Sequence, residues 1–207
     1  MSKQQKKHWE TIYTSKQPNE VSWTQNIPKT SLYFIHQANL PKEASIIDVG
    51  GGDSKLVDFL LDEGFEDVTV LDISEQALTR AKNRLGTKGE KVKWVVCDIT
   101  EFTPQKQFDF WHDRAAFHFL TTETQIGKYL SIARGSVKEN GTVTIGTFSA
   151  NGPKKCSGLE IKQYSEEALI AELGNGFRKI KCITEDHTTP FNTVQNFLFC
   201  SFRRSSN

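Results

Sequence analysis

Residues 45–54 read Ser-Ile-Ile-Asp-Val-Gly-Gly-Gly-Asp-Ser, an apolar run that ends in a turn with three glycines. The run predicts a buried strand over 45–50, and the apolar spacing that follows predicts a helix over 54–63. Glycines let the backbone of such a turn approach a ligand closely, and the start of a helix leaves backbone N–H groups unpaired. The stretch therefore predicts a strand–turn–helix unit of an α/β fold with a ligand at the turn.

The details of this turn argue against two kinds of nucleotide site. A dinucleotide fingerprint needs a glycine at the position of Lys55, and a P-loop needs Gly-Lys followed by Ser or Thr at the helix start, which the chain lacks. Asp48, just before the glycines, suits a ligand with an ammonium group. The turn therefore favours a cationic ligand over one that presents a pyrophosphate.

Acidic residues end the next two predicted strands as well. Asp72 lies near the end of strand 68–73, where a carboxylate can accept hydrogen bonds from both hydroxyls of a ribose. Asp98 lies near the end of strand 92–99, where it can accept from an exocyclic amine such as that of adenine. Each acid alone also suits a helix N-cap. Ligands of open α/β sheets bind at the carboxyl ends of the strands, so the three acids together predict a nucleoside site.

The rest of the chain alternates apolar runs with amphipathic stretches, the pattern of a parallel sheet covered by helices. Further strands are predicted over 108–112, 142–148, 177–186 and 193–203, with a turn at 140–141, and further helices over 8–13, 28–39, 74–85, 126–137 and 165–173. The last two strands have no helix between them, which predicts an antiparallel pair. The expected fold class is α/β, with a mostly parallel sheet, an antiparallel last strand and helices on both faces. One domain is expected over 1–207, with 1–44 as an N-terminal helical cap and 45–204 as the core.

Together, these features resemble the class I S-adenosylmethionine-dependent methyltransferases over about residues 45–204. The resemblance implies a seven-stranded Rossmann-like sheet, S-adenosylmethionine as cofactor and S-adenosylhomocysteine as product. It places the following residues around the cofactor: Asp48, Gly50, Gly51 and Gly52 at the methionine part, Asp72 and Ile73 at the ribose, and Asp98 with Ile99 at the adenine. Ser54 stands where the family usually has a third glycine and leaves the backbone N–H groups available. Trp23 and Gln25 match an upstream aromatic and glutamine that cover the carboxylate end of the cofactor, although Trp23 also suits simple packing of the cap.

The stretch 111–116, Trp-His-Asp-Arg-Ala-Ala, should border the substrate. Amino-methylating nucleic-acid enzymes of this class have Asn/Asp-Pro-Pro-aromatic here, so a base-amine substrate is disfavoured. The stretch is similar to thiopurine S-methyltransferase-like enzymes, to lysine methyltransferases of translation factors and, with two later loops, to small bacterial methyltransferases (type 11/12-like) without an assigned substrate. Arg114 is expected to orient an anionic substrate group, and Asp113 to hold the cofactor or accept a proton. An Asp113–Arg114 ion pair that merely fixes the loop is the alternative.

Two loop residues, Cys156 and His187, are expected at the rim of the site. His187 is a candidate general base, and Cys156 a candidate contact for a thiophilic substrate, while local packing is the alternative for each. The leading functional prediction is methyl transfer to a small-molecule acceptor, either a thiol or an amine. A protein lysine methyltransferase and a catalytically inactive cofactor-binding scaffold are the alternatives. The acceptor and the oligomeric state stay open.

The amino-acid composition argues against several classes of binding partner. The 207 residues carry 26 basic and 25 acidic side chains, and this balance argues against general nucleic-acid binding. No apolar run is long enough for a membrane span, and the first residues lack the apolar segment of a secretory signal, so a cytoplasmic location is expected. The four cysteines have no CxxC spacing, so no metal site is expected and all four are expected to be free thiols.

Overall fold

A computed structural model describes residues 3–205, in which the strand predicted at 45–50 is β1 (Ser45–Val49), an inner strand of a seven-stranded sheet. Residues 1, 2, 206 and 207 belong to the predicted domain, and 1 and 2 to its predicted cap, but they lie outside the described residues. The single-domain organisation stays a prediction.

The sheet has the predicted topology. Its other strands are β2 (Asp67–Asp72), β3 (Lys93–Val96), β4 (Phe108–Arg114), β5 (Val137–Phe148), β8 (Phe177–Thr188) and β9 (Val194–Arg204), while β6 (Lys155–Cys156) and β7 (Leu159–Glu160) form a small separate hairpin. The order is β3-β2-β1-β4-β5-β9-β8. Strands β1 to β5 pair in parallel, and β9 pairs antiparallel with both β5 and β8. The predicted mostly parallel α/β sheet with an antiparallel last strand is therefore confirmed.

Six α-helices connect or cover these strands in residues 3–205: α1 (Lys3–Ser15), α2 (Lys29–Gln37), α3 (Leu56–Asp62), α4 (Glu75–Leu85), α5 (Glu123–Ser136) and α6 (Glu166–Leu173). Side-chain oxygens cap three of them, since Ser74, Thr122 and Ser165 each accept a hydrogen bond from a backbone N–H in the first turn. The cap helices α1 and α2 precede the sheet, as predicted, and α1 is longer than the stretch predicted at 8–13.

The start of β5 differs from the prediction. The helix expected to reach residue 137 ends at Ser136, and Val137 already pairs with Phe108 of β4. Asn140 and Gly141 therefore lie inside the strand instead of forming a turn before it. The β4–β5 register shifts between Phe108 and Phe110, and Asn140 has a φ of +58°, so the two residues form an irregularity of the ladder.

The core lies in two layers, one on each face of the sheet. Trp111 of β4 packs with Phe117, Tyr129 and α5 on one face. Phe110 packs with α2 and α3 on the other. Side chains alternate between the faces of a strand, so His112 lies on the same face of the sheet as Phe110, and Asp113 lies on the same face as Trp111. This alternation separates the neighbouring polar residues of β4.

The cysteines also differ from the prediction. Cys182 of β8 and Cys200 of β9 are register partners and form a disulfide, so the expectation of four free thiols is wrong for this pair. The antiparallel ladder brings the two Cα atoms to 4.1 Å, although 18 residues separate the cysteines in sequence. Cys97 and Cys156 are free.

No helix within residues 3–205 combines the length and the apolar character that crossing a membrane would require.

Candidate functional site

A cavity of about 1270 Å³, counted out to its open mouth, lies at the carboxyl ends of β1, β2 and β4. Helix α1 and the segment 18–25 cover it. Eleven of the residues that the sequence singled out for the site line this cavity: Trp23, Gln25, Asp48, Gly50, Gly51, Ser54, Asp72, Ile73, Ile99, Arg114 and Cys156. Gly52, Asp98, Asp113 and His187 do not lie on its lining.

The glycine turn forms one wall of the cavity. Gly50 has a φ of +66°, and the N–H groups of Gly50 and Gly51 both donate to the carbonyl of Leu71, at 2.7 and 3.2 Å. A Cβ atom on Gly51 would lie 2.6 Å from Oδ2 of Asp48 and 2.7 Å from Cγ1 of Val70. The backbone of the turn can pass this close to β1 and β2 only because Gly51 has no side chain.

Asp72 is a buried carboxylate at the end of β2. Its Oδ1 accepts from the backbone N–H of Ser74 at 2.8 Å. Burial raises the pKa of Asp72 to about 7, and the charges of Asp53 and Asp48 act in the same direction, while the hydrogen bond from Ser74 opposes them. A ligand that donates hydrogen bonds to this carboxylate would favour its charged form.

Asp98 lies outside the cavity lining. Its Oδ1 accepts from the backbone N–H and the hydroxyl of Thr100, at 2.9 and 2.8 Å, and so begins a 3-10 turn over Ile99–Glu101. These contacts match the N-cap alternative for this acid. The turn places Ile99, which is buried, on the cavity wall.

A buried hydrogen-bonded pair joins β1 to β4 inside the cavity. Nδ1 of His112 lies 2.7 Å from Oδ1 of Asp48, and both side chains are less than 5% exposed. The two residues are register partners in the parallel β1–β4 ladder. The sequence predicted that the stretch containing His112 borders the substrate, but not its contact with Asp48, because the pairing of two strands 64 residues apart leaves no local signal.

Arg114 is one of the basic residues on the cavity wall. Its Nη1 donates to the carbonyl of Trp23 at 2.9 Å, and its guanidinium lies 4.9 Å from the ring centre of Phe197. Burial lowers the pKa of Arg114 to about 10, and the charge of Glu185 opposes this shift. Within residues 3–205, Nε and Nη2 of Arg114 are buried and have no hydrogen-bond partner. Such unpaired donors on a cavity wall can bind an anionic group.

Asp113 lies on the opposite face of β4, fully buried, so the alternative in which it pairs with Arg114 does not describe the structure. Its Oδ1 accepts from the N–H groups of Ala116 and Phe117, at 3.2 and 3.0 Å, and its Oδ2 accepts from the hydroxyl of Tyr129 at 2.9 Å. Burial raises the pKa of Asp113 to about 6. The side chain fixes the turn after β4, in contrast to the expected direct contact with cofactor or substrate.

His187 holds the cover of the cavity. Its Nε2 donates to the carbonyl of Ser22 at 2.7 Å, and burial lowers its pKa. The nearby Gln25 donates from Nε2 to Glu185 at 3.2 Å. Nε2 thereby ties the segment 18–25 to β8, and Nδ1 is then the ring nitrogen that could accept a proton, so the expected role of His187 as a base stays a prediction.

Aromatic rings and a thiol complete the wall. Trp9 contacts Trp23 and Phe119 edge to face, with ring centres 5.6 and 5.1 Å apart, and all three line the cavity. Cys156 lies on the lining as expected, and burial raises its pKa to about 12, so it is a neutral thiol. No group of three or more His, Cys, Asp or Glu side chains within residues 3–205 is arranged to hold a metal ion.

Comparison with known proteins finds relatives of this chain. A family model described as a methyltransferase domain matches residues 46–141. The human N-terminal Xaa-Pro-Lys N-methyltransferase 1 is 30% identical over 102 residues, which are 48% of this chain and 45% of that protein. The malonyl-[acyl-carrier protein] O-methyltransferase 2 of Ilyobacter polytropus is 25% identical over 105 residues, 50% of this chain and 39% of that protein. The matched region thus spans about half the length, or less, of these curated relatives.

Solved structures share the fold over nearly the whole chain. The 1,6-didemethyltoxoflavin-N1-methyltransferase of Burkholderia thailandensis, solved with its substrate and S-adenosylhomocysteine, superposes with a TM-score of 0.73 at 19% identity and covers 98% of this chain and 88% of its own. An Anabaena variabilis S-adenosylmethionine-dependent methyltransferase superposes with a TM-score of 0.75 at 14% identity, covering 97% and 93%. At these identities the likeness concerns the fold. Residues 46–141 therefore match a methyltransferase domain, and the chain has the fold of the S-adenosylmethionine-dependent methyltransferases.

Proposed function

We propose that this protein transfers a methyl group from S-adenosylmethionine to a small-molecule acceptor, a thiol or an amine. The observation that carries the proposal is the cavity itself, which combines a tight glycine turn and the carboxylate of Asp72 with a half-buried, incompletely paired Arg114. The first two features suit a nucleoside with a cationic amino acid, and the third suits an acceptor that carries an anionic group.

The residues present fit the cofactor. The proposed contacts are Trp23 and Gln25 at its carboxylate end, Asp48, Gly50, Gly51, Gly52 and Ser54 around its methionine part, Asp72 and Ile73 at the ribose, and Ile99 at the adenine. When bound, the cofactor supplies an electrophilic methyl group. The faces of Trp9, Tyr13 and Trp23 on the lining would stabilise its positive charge.

Three of the expected residues take indirect roles in this proposal. Asp98 caps the turn that presents Ile99, Asp113 fixes the turn after β4, and His187 holds the cover. Arg114 both anchors the cover and presents free N–H groups to the acceptor. The chain therefore contributes alignment and exclusion of water, which are the main contributions that a protein makes to a group transfer of this kind.

Methylation of a protein N-terminus or lysine is the second candidate. The similarity to the human N-terminal Xaa-Pro-Lys N-methyltransferase 1 favours it, as does the wall of Trp9, Trp23 and Phe119, since aromatic rings also suit an alkylammonium group. A scaffold without catalysis is the third candidate, and it predicts cofactor binding without any transfer.

Two experiments test the proposal in sequence. Calorimetry with S-adenosylhomocysteine should show one binding site per chain. A transfer screen with radiolabelled S-adenosylmethionine should then cover thiols, amines, carboxylates, a peptide that begins with Xaa-Pro-Lys and a lysine-rich protein. Transfer to a small acceptor supports the leading candidate, and transfer only to the peptide or protein supports the second. Absence of S-adenosylhomocysteine binding would overturn all three.

A cytoplasmic location without nucleic-acid or membrane partners is part of the same proposal, and the nearly balanced charge of the chain supports the absence of general nucleic-acid binding. Purification of the untagged protein from the cytoplasmic fraction, free of bound nucleic acid, is the expected result.

A further inference from the structure

The pair formed by Asp48 and His112 has an unusual place in the cavity. Both residues line it, both are almost completely buried, and the atoms that join them are Oδ1 of Asp48 and Nδ1 of His112, 2.7 Å apart. A carboxylate accepts hydrogen bonds, so Nδ1 of His112 must carry a proton. In a neutral imidazole the other nitrogen, Nε2, is then a proton acceptor.

Nε2 of His112 finds no partner within residues 3–205, although it is buried. Buried ring nitrogens are normally hydrogen-bonded, so an unsatisfied one on a cavity wall points to a ligand group that completes it. The hydroxyl of Ser31, on α2, is a second buried and unpartnered polar atom on the same lining. Two polar atoms of the residues that line this cavity are therefore left without a hydrogen-bond partner.

We propose that His112 is the catalytic base of the transfer, with Nε2 taking the proton of the acceptor and Asp48 fixing the tautomer. This inference rests on the proposed function. In the step, an electron pair of the acceptor's sulfur or nitrogen forms a bond to the methyl carbon, and the carbon–sulfur bond of the sulfonium breaks with its pair going to sulfur. The acceptor's proton moves to Nε2, and Asp48 stabilises the imidazolium that results.

The surrounding charges are compatible with this role. Asp48 lies on β1, Asp113 is the next residue on β4 and interacts electrostatically with His112, and Arg114 lies beyond it and interacts with Asp48. Asp72 on β2 also interacts with Asp48. On β5 the register partner of His112 is the uncharged Thr144. Carboxylates therefore lie near the ring on both β1 and β4, where an imidazolium would form in the step.

A simpler reading is that His112 only balances the charge of Asp48. The variant His112→Asn separates the two roles, because the asparagine amide can donate to Asp48 in place of Nδ1–H but has no basic nitrogen. His36→Asn, a change of an exposed histidine on α2, is the matched control. Circular dichroism and S-adenosylhomocysteine calorimetry on both variants verify folding and cofactor binding, and each should match the wild type within about twofold.

Two thiol probes then test the proton transfer. Phenylmethanethiol must lose a proton at pH 8, whereas thiophenol is already ionised. We expect His112→Asn to lower kcat for phenylmethanethiol about 100-fold. Its kcat for thiophenol should change by less than about threefold, and the acidic limb of the wild-type pH profile should disappear. Equal kcat values for phenylmethanethiol in the variant and the wild type would overturn the proposal.

The tautomer of His112 can also be measured by NMR on the protein without substrate, independently of the kinetics. Long-range ¹H–¹⁵N spectra should assign to His112 a neutral ring with the proton on Nδ1 at pH 8, and Asp48→Asn should shift that signal. A ring protonated on Nε2, or charged throughout the range from pH 6 to 9, would overturn the inference, whether or not either thiol is a substrate. If the wild type does not bind S-adenosylhomocysteine, the proposed function itself fails. The spectrum does not require cofactor binding, so the two failures can be told apart.

Discussion

The guanidinium of Arg114 donates a hydrogen bond from Nη1 to the backbone carbonyl of Trp23 at 2.9 Å, and so joins the end of β4 to the segment that covers the cavity. Two further contacts hold the same segment, from His187 to Ser22 and from Gln25 to Glu185. One cation therefore serves both the cover and the wall against which an acceptor would lie. Substitutions of Arg114 should therefore weaken acceptor binding more than they destabilise the fold.

The variant Arg114→Lys tests this anchor. Lysine keeps the charge but loses the planar fork of N–H donors, which binds carboxylates through two hydrogen bonds. We expect KM for 2-mercaptobenzoate to rise at least tenfold, about 1.4 kcal/mol. KM for the control thiophenol, which lacks the carboxylate, should change less than about threefold. Equal losses for both thiols, measured by steady-state kinetics, would show that Arg114 does not recognise an anionic group.

Asp72 is expected to be the main polar contact of the cofactor. The variant Asp72→Asn removes charge-assisted hydrogen bonds to the ribose hydroxyls, so the affinity for S-adenosylhomocysteine should fall by about 1–3 kcal/mol. Calorimetry at pH 8 measures the change. Asp62→Asn, at an exposed carboxylate on α3 outside the cavity, is the control and should bind like the wild type. An unchanged affinity of Asp72→Asn contradicts the ribose assignment.

The same substitution should stabilise the protein without cofactor, in a pH-dependent way. Burial raises the pKa of Asp72 to about 7, above that of an aspartate in the unfolded chain, so its contribution to stability is present at low pH and lost as pH rises through 7. The free energy of unfolding of Asp72→Asn should therefore exceed that of the wild type by about 1–3 kcal/mol at pH 8. The difference should shrink toward pH 5.

Urea unfolding at pH 5, 6, 7 and 8 checks this difference. The variant must be compared with the wild type at each pH, because His118, whose pKa burial lowers to about 3, destabilises the folded wild type in the acid range and masks the effect of Asp72. A difference between the two proteins that is constant over this range would show that Asp72 titrates normally.

The sequence predicted features that depend on local chemistry. The glycine turn and Asp72 were found because a strand that ends in glycines or an acid is visible within ten residues. The pair of Asp48 and His112 was missed because it depends on the register of β1 against β4. Asp113 was expected at the cofactor because a sequence does not reveal on which face of β4 a residue lies.

The cysteine pairing was missed for the same physical reason, and it yields a prediction of its own. Cys182 and Cys200 face each other across the β8–β9 ladder, while Cys97 and Cys156 are free. Protein that is unfolded without reductant should therefore react with a maleimide at two cysteines, and at four after reduction. Mass spectrometry counts the labels. Four labels without reductant would show that the pair is reduced in the isolated protein.

Gly51→Ala tests the close approach of the turn to the strands. The added methyl group would lie 2.6 Å from Oδ2 of Asp48 and 2.7 Å from Cγ1 of Val70, and Asp48 is held by His112 on its other side. The turn must therefore move, and we expect a loss of about 1–3 kcal/mol in unfolding free energy. S-adenosylhomocysteine binding should weaken at the same time, because the turn would no longer follow the same path past the ligand.

The matched control is Gly127→Ala on α5, where no atom lies within 4 Å of the added methyl group and alanine should stabilise the helix by about 0.5–1 kcal/mol. If both variants unfold at the same urea concentration and bind the ligand equally, the backbone at Gly51 has more room than these distances allow, and the glycine there has no steric role.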